Sequence, residues 1–537
     1  MTRVGGRAHT LEVNTAAPEE KGVMIFGRGL SASIVSLLLA SLPGAASAGI
    51  VIDLALDPTP VVLGSAPEEQ FGYSLAAGDF DADGILELAV GAPGHEVPGL
   101  GPNTGAVYVF DAQSILSPGG PVEAGAAASL LLEGDGPLSR FGQTLAAGDI
   151  DGDAIDDLVV GAPAWGGEDS IAAGRVYVFL GRSAPDTSGA GRAADLVLSG
   201  GQAGGRLGSS IALADVDGDD WIDLVASAYR ARGPHGRRSG VVHVLPGTAI
   251  AGVRGEAPVS DLPGTSLFGE REGDGLRELA FGDLDGDGAV EAVVGAHYAD
   301  GDGQEAVDVG KVYVVPASRL AGWDAVAISE AATAALVGVA PRGLLGSSIA
   351  LGDIDSDGID DLIASAHAAR GEGAKLEAWG ECFLLFGREG GLGGPSRIVD
   401  NGPLSFGARS KWDLFGLPVM AADLNGDRAA DIVVAAQFTD SPDGNRRRCG
   451  EAYVYWGSLR SVMEAKAGTA ELADVTIVGA EEMESIGGAL KAAGLSGGRT
   501  PDLIIGAPDA PGEVSGESRV GRLYVVPPDR LLARSAR

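Results

Sequence analysis

Two cysteines in 537 residues rule out a disulfide framework as the source of stability. Aromatic side chains make up 5% of the chain, so any core must be built from Val, Leu, Ile and Ala. The six histidines show no ligand spacing relative to Cys382 and Cys449, which removes a zinc site. Cations are scarce: 38 Lys and Arg against 74 Asp and Glu leave a net charge of −36. Such a chain is poorly suited to nucleic acid, whose phosphates need clustered positive charge. The one apolar run near the start, residues 34–42, is too short to span a bilayer as a helix. No nucleophile elbow, His-Glu-x-x-His or phosphate-binding glycine loop is present. His95, His235, His243, His297 and His367 fall near loops or strands and read as surface, so no catalytic residue is expected.

What is abundant is glycine, 86 residues, and an acidic loop written out six times. The copies begin at Asp79, Asp149, Asp215, Asp283, Asp353 and Asp423, at intervals of 66 to 70 residues. Each puts oxygen-bearing side chains at positions 1, 3, 5 and 9. The sets are Asp79, Asp81, Asp83 and Glu87; Asp149, Asp151, Asp153 and Asp157; and Asp215, Asp217, Asp219 and Asp223. The remaining three are Asp283, Asp285, Asp287 and Glu291; Asp353, Asp355, Asp357 and Asp361; and Asp423, Asn425, Asp427 and Asp431. Carboxylates packed this densely repel one another unless a cation sits among them. Oxygen-only ligands on a loop suit calcium, which takes six to eight of them. An isolated loop of this kind reads equally as a solvated Asp-Gly turn, but sixfold recurrence of one spacing does not. About six calcium sites are expected, with the sixth weakest because Asn425 is neutral. Position 6 calls for a positive φ, which Gly84, Gly288 and Gly358 supply freely while Ala154, Asp220 and Arg428 do not. A seventh copy has Gly494, Ser496 and Gly498 at positions 1, 3 and 5 and keeps only Asp502.

The loop sits inside a larger unit. In the second copy Phe141-Gly142 opens it, an alternating stretch leads to Asp149, and Leu158-Val159-Val160 runs into Gly161-Ala162-Pro163. A third run, Val176-Tyr177-Val178-Phe179, and a fourth, Leu196-Val197-Leu198, complete it. Short apolar runs separated by Gly, Asp and Pro predict four antiparallel strands. The third run recurs seven times, and in the fourth unit Gly275-Leu276 stand where Phe-Gly is expected. Seven such units predict an all-β, seven-bladed β-propeller of four-stranded antiparallel blades. The seventh unit stops after its third strand. Val61-Val62-Leu63 is therefore expected to supply the missing fourth strand and lock the ring.

Phe-Gly, the acidic loop and Gly-Ala-Pro, in that order, resemble the FG-GAP repeats of the integrin alpha-chain amino-terminal domain and of bacterial proteins built from the same unit. The resemblance covers nearly all of residues 49–537. It implies a seven-bladed propeller with calcium in the hairpin between first and second strands, and partners on the opposite face. Similar repeats also occur beside a catalytic domain in a glycosylphosphatidylinositol-cleaving phospholipase; this chain is expected to have no room for one.

Residues 1–23 read as a mis-assigned start ahead of Met24. Residues 24–48 read as a signal peptide cleaved after Ala48, within Ala46-Ser47-Ala48. The expected product is a secreted, periplasmic or cell-surface protein with residues 49–537 as a monomeric propeller and no membrane span. An oxidising compartment would permit a Cys382–Cys449 bond, although neighbouring blades separate the two. The expected role is an extracellular interaction or adhesion module for an unidentified protein or glycan. The alternative is an extracellular hydrolase, or the accessory module of one, directed at phospholipid or glycan. Two basic clusters on the expected partner face, Arg230, Arg232, Arg237 and Arg238, and Arg446, Arg447 and Arg448, are candidates for an anionic ligand.

Overall fold

A computed structural model describes residues 49–533, apart from 58, 117–119, 167–171, 183–193, 303–305, 321–324, 370–378, 395, 402, 411, 459–462, 464–467 and 513–517. The expected start site and export signal, within residues 1–48, lie outside the described residues.

Within each repeat the four apolar runs become four antiparallel strands paired in sequence order. The second blade shows the pattern, with Thr144–Gly148, Asp157–Ala162, Arg175–Phe179 and Leu196–Ser199. Its second and third strands are buried along their whole length, which is why they read as unbroken apolar runs rather than alternating ones. Among the described residues seven such sheets form, and their first strands touch one another in a closed cycle, the seventh returning to the first. The seven apolar clusters each draw on two neighbouring blades, so the core is a set of seven interfaces rather than one centre. The fold is the expected all-β, seven-bladed propeller.

The ring closes as the sequence suggested. Val61–Leu63 pairs antiparallel with Arg522–Val526 and becomes the fourth strand of the seventh blade, with Val62 fully buried. The blades are not uniformly four-stranded, however. Six carry a fifth strand, parallel to the fourth; in five it is drawn from the connection between the third and fourth strands of the next blade, and in the sixth blade from the amino-terminal segment. Gly255–Pro258 joins the second blade in this way, and Ala325–Ala327 the third. Ile50–Asp53 joins the sixth blade against Val475–Val478, so two amino-terminal strands, not one, span the closure. These additions cover outer edges that would otherwise present unpaired backbone. They run to two to four residues, too short to show a strand pattern in sequence.

The Phe-Gly and Gly-Ala-Pro motifs meet across blade boundaries. A side chain on Gly91 of the first blade would lie 2.1 Å from the carbonyl oxygen of Gly142 in the second. Gly142 itself adopts φ +82. Phe141 beside it is buried, packing edge-on to Tyr177 at 5.1 Å. One motif thus supplies the backbone approach and a core aromatic, and the other the space to receive them. In the fourth blade Leu276 takes the place held by Phe in the first, second and sixth and by Leu or Ile in the others, since its backbone seats against Gly240 as that of Phe141 does against Gly105. Arg277, not a glycine, therefore occupies the second motif position, one residue later than the sequence reading placed it.

Cys382 and Cys449 are both buried and unpaired. Cys382 lies on a third strand of the fifth blade, while Cys449 precedes that of the sixth and faces the carbonyl of Thr439. The helices are single turns; none of the described helices is long and apolar enough to cross a membrane.

Candidate metal centres

All six acidic loops fold in the same way. The first carboxylate turns back into the loop and accepts the N–H of position 6: Gly84 to Asp79 at 3.0 Å, Ala154 to Asp149 at 2.8 Å, and Asp220 to Asp215 at 2.9 Å. Gly288, Gly358 and Arg428 do likewise toward Asp283, Asp353 and Asp423. The position 5 carboxylate accepts the N–H of position 7 in every copy, as Ile85 donates to Asp83 at 2.7 Å. Position 9 begins the second strand, and its carboxylate accepts the N–H of position 2. Glu87 takes Phe80, Asp157 takes Ile150, Asp223 takes Val216, Glu291 takes Leu284, Asp361 takes Ile354 and Asp431 takes Leu424.

The positive φ expected at position 6 is present in all six loops, including Ala154 at +68, Asp220 at +67 and Arg428 at +82. A second positive φ falls at position 4, at Ala82, Gly152, Gly218, Gly286, Ser356 and Gly426. Sequence reading missed this one; glycine at four of the six positions was the available signal.

The loops gather their acids as a ligand set. Carboxylate oxygens of positions 1, 3 and 9 lie within 4.8 Å of one another in the first four copies: Asp79, Asp81 and Glu87; Asp149, Asp151 and Asp157; Asp215, Asp217 and Asp223; Asp283, Asp285 and Glu291. In the fifth, Asp353, Asp355 and Asp357 form the group. Asp83, Asp153, Asp219, Asp287 and Asp361 stand outside these triads; the first four turn an oxygen to the backbone of position 7. In the sixth loop Asp423, Asp427 and Asp431 form no such group. There the Asn425 amide donates to Asp431 at 3.2 Å, doing with a proton what a cation would do.

Burial makes these carboxylates hard to ionise without a counter-charge. It pushes Glu87, Glu291, Asp361 and Asp431 up to about 7, and Asp157 and Asp223 to about 6. Asp81, Asp151 and Asp217 at position 3 are also raised, first by burial and then with help from neighbouring loop aspartates. One oxygen of Asp151 is buried with no hydrogen-bond donor. A divalent cation coordinated only by oxygen fits this donor set. It would satisfy that lone pair and offset two of the triad's three negative charges, the chemistry calcium supplies.

A second buried network, also missed in sequence, ties neighbouring blades on the opposite side. The third-strand Tyr108, Tyr177, Tyr313 and Tyr524 donate to Glu69, Asp135, Glu270 and Glu484, carboxylates of the loop entering each blade. Arg175 adds bonds to Asp135 at 2.9 Å and Glu256 at 2.6 Å, and Lys311 one to Glu270 at 2.7 Å. For three of the four the signal was a cation two places before the tyrosine, Arg175, Lys311 and Arg522; Tyr108 has Ala106 there and carried no such signal.

The two arginine clusters are three blades apart and differ in state. Arg446 is spent on the fold, donating twice to Asp53 at 2.6 Å across the closure. Arg448 lies over the Phe438 ring at 4.0 Å, and exposed Arg447 stands 3.9 Å from Glu482. Arg230, Arg232, Arg237 and Arg238 instead converge with Arg206 around one cleft.

The FG-GAP repeat family matches residues 71–110, 141–179 and 345–375. The chain is 34% identical over 178 residues to human phosphatidylinositol-glycan-specific phospholipase D, covering 33% of this chain and 21% of that protein. It is 33% identical over 207 residues to human integrin alpha-IIb, covering 37% and 18%. To integrin alpha-PS2 of Drosophila melanogaster it is 30% identical over 190 residues, covering 34% and 12%. The matched stretches span about a fifth or less of these relatives. The chain is an integrin-alpha-like FG-GAP propeller, related through its repeats to both groups.

Proposed function

We propose that the protein is a secreted, calcium-binding propeller that acts as an extracellular interaction or adhesion module. The observation that carries the calcium reading is the fivefold recurrence of three convergent, part-buried carboxylates on one backbone frame. Repetition itself argues for a structural metal, because catalysis needs one distinctive site rather than five alike. Calcium bound there would fix one face of the ring and leave the other for a partner. The integrin relatives favour an adhesive role, and the ligand would be a protein or glycan met outside the cell. Export would follow cleavage after Ala48, leaving residues 49–537 as a monomeric propeller.

A second reading rests on the phospholipase D relatives: a propeller that serves a hydrolase acting on phosphatidylinositol-glycans. Release of a glycan-anchored substrate by the purified protein would favour it over the first.

The calcium reading is tested by melting the protein in about 1 mM calcium and in excess EGTA. A site with a dissociation constant of about 0.1 mM contributes about 1.4 kcal/mol at that concentration. Five or six sites then sum to roughly 7–8 kcal/mol, comparable to the net stability of a typical domain. A large fall in melting temperature on chelation is expected; identical curves would overturn the reading.

A further inference from the structure

The cleft between the second and third blades departs from the rest of this acidic surface. Strand connectivity puts it on the face opposite the acidic hairpins, where second-to-third and fourth-to-first connections emerge. Arg206 comes from the connection entering the third blade, and Arg230, Arg232, Arg237 and Arg238 from that blade's next loop on the same face. With Gln202 they surround a volume of about 640 Å³ whose described lining holds no acidic residue.

The state of the guanidinium groups sets the cleft apart. Several arginines elsewhere are engaged: Arg140 bonds Gln143 and Gln70, Arg175 bonds Asp135 and Glu256, and Arg446 bonds Asp53. Among the described residues, none of the five cleft guanidiniums makes an ion pair or hydrogen bond; Arg230 only lies beside the Tyr229 ring at 5.2 Å. Glu168 and Asp169, in the same loop as Ala172, lie outside the described residues. The cleft is nevertheless held in shape. The Gln202 amide accepts the N–H of Arg232 at 2.7 Å and donates to its carbonyl at 3.1 Å, clamping one blade's loop to the next.

We propose that this cleft binds a short carbohydrate bearing at least two sulfate or phosphate esters. The proposal deepens the extracellular interaction role and rests on it. Five like charges gathered without partners are costly until an anion neutralises them, and a cleft of one sign concentrates ligands of the other. Guanidinium groups present paired donors that match tetrahedral oxyanions. Five of them exceed what a single carboxylate can use, so the ligand is polyvalent. The net charge of −36 repels an extended polyanion over the rest of the surface, so the ligand is small.

The test is calorimetric titration of the calcium-loaded protein with sucrose octasulfate, fructose 1,6-bisphosphate and plain sucrose. The first two separate sulfate from phosphate recognition. At least one should bind with one site per chain and weaken as salt rises, while sucrose should not bind. Arg230→Gln with Arg237→Gln should weaken binding about tenfold or more, with the melting temperature in calcium unchanged. Arg447→Gln, on the sixth blade, should bind like the parent. Failure of both charged sugars to bind at about 1 mM, or full binding by the double variant, would overturn the proposal. Binding that persists with no calcium effect on melting would instead remove the calcium reading and leave the cleft standing.

Discussion

Single residues in the acidic loops show how far a ligand geometry can override local preference. Ala154 and Arg428 hold positive φ values that cost a side-chain-bearing residue roughly 1–2 kcal/mol. They stay there because their N–H groups are bonded to Asp149 and Asp423. Ala154→Gly relieves that strain at the expense of some backbone entropy. It should raise stability by about 0.5–1 kcal/mol, seen as a higher melting temperature with calcium affinity of the second loop kept or improved. Asp413 offers a test with a pH sign. Burial raises its carboxyl to about 6, above the unfolded value, so folding favours its protonated form. Its cost is therefore absent near pH 4 and grows as pH rises through about 6. Asp413→Asn retains an oxygen for the Ser410 N–H. It should melt higher than the parent at pH 7.5, and that advantage should vanish on acidification to about pH 4.

At the scale of elements, the strands that matter most to closure are the shortest. Val61–Leu63 has three residues, yet it seals the seventh blade against the first through Val62. Ile50–Asp53 works one blade further back, and Asp53 at its end receives Arg446. Proteins begun at Gly49, Pro60 and Gly64 should therefore form a series. Loss of residues 49–59 removes an edge strand and one ion pair, and should lower the melting temperature modestly. Loss through Leu63 leaves the third strand of the last blade unpaired along its outer edge. It should abolish the single cooperative transition or drive aggregation. A third protein as stable as the first would refute the strand's role. The closing strand was legible in sequence because it is apolar and fills a counted gap. The fifth strands were not: Gly255–Pro258 and Ser396–Arg397 carry no apolar alternation and owe their conformation to the neighbour they pair with.

The whole molecule separates two kinds of charge onto opposite faces. One carries the acidic hairpins and, where calcium is present, would be stiffened by it. The other carries the tyrosine–carboxylate ties between blades and the arginine cleft. Stability and recognition can then be altered independently: chelation should change melting far more than ligand binding to a folded ring, and the cleft variants the reverse. A nearly constant period, a 1-3-5-9 pattern of oxygens and a missing last strand were enough to specify seven radial sheets, the sealing strand and the acidic loops proposed to hold metal. Those features repeat locally, and each copy states the same backbone requirement. Which carboxylates converge, and which arginines remain unpaired, depended on contacts between blades. Arg446 and Arg230 look alike in a linear chain, but only folding brings Asp53, 393 residues away, to the first and leaves the second in the cleft with no carboxylate bonded to it among the described residues. Ion pairing is decided by distance in space, which a one-dimensional pattern does not encode.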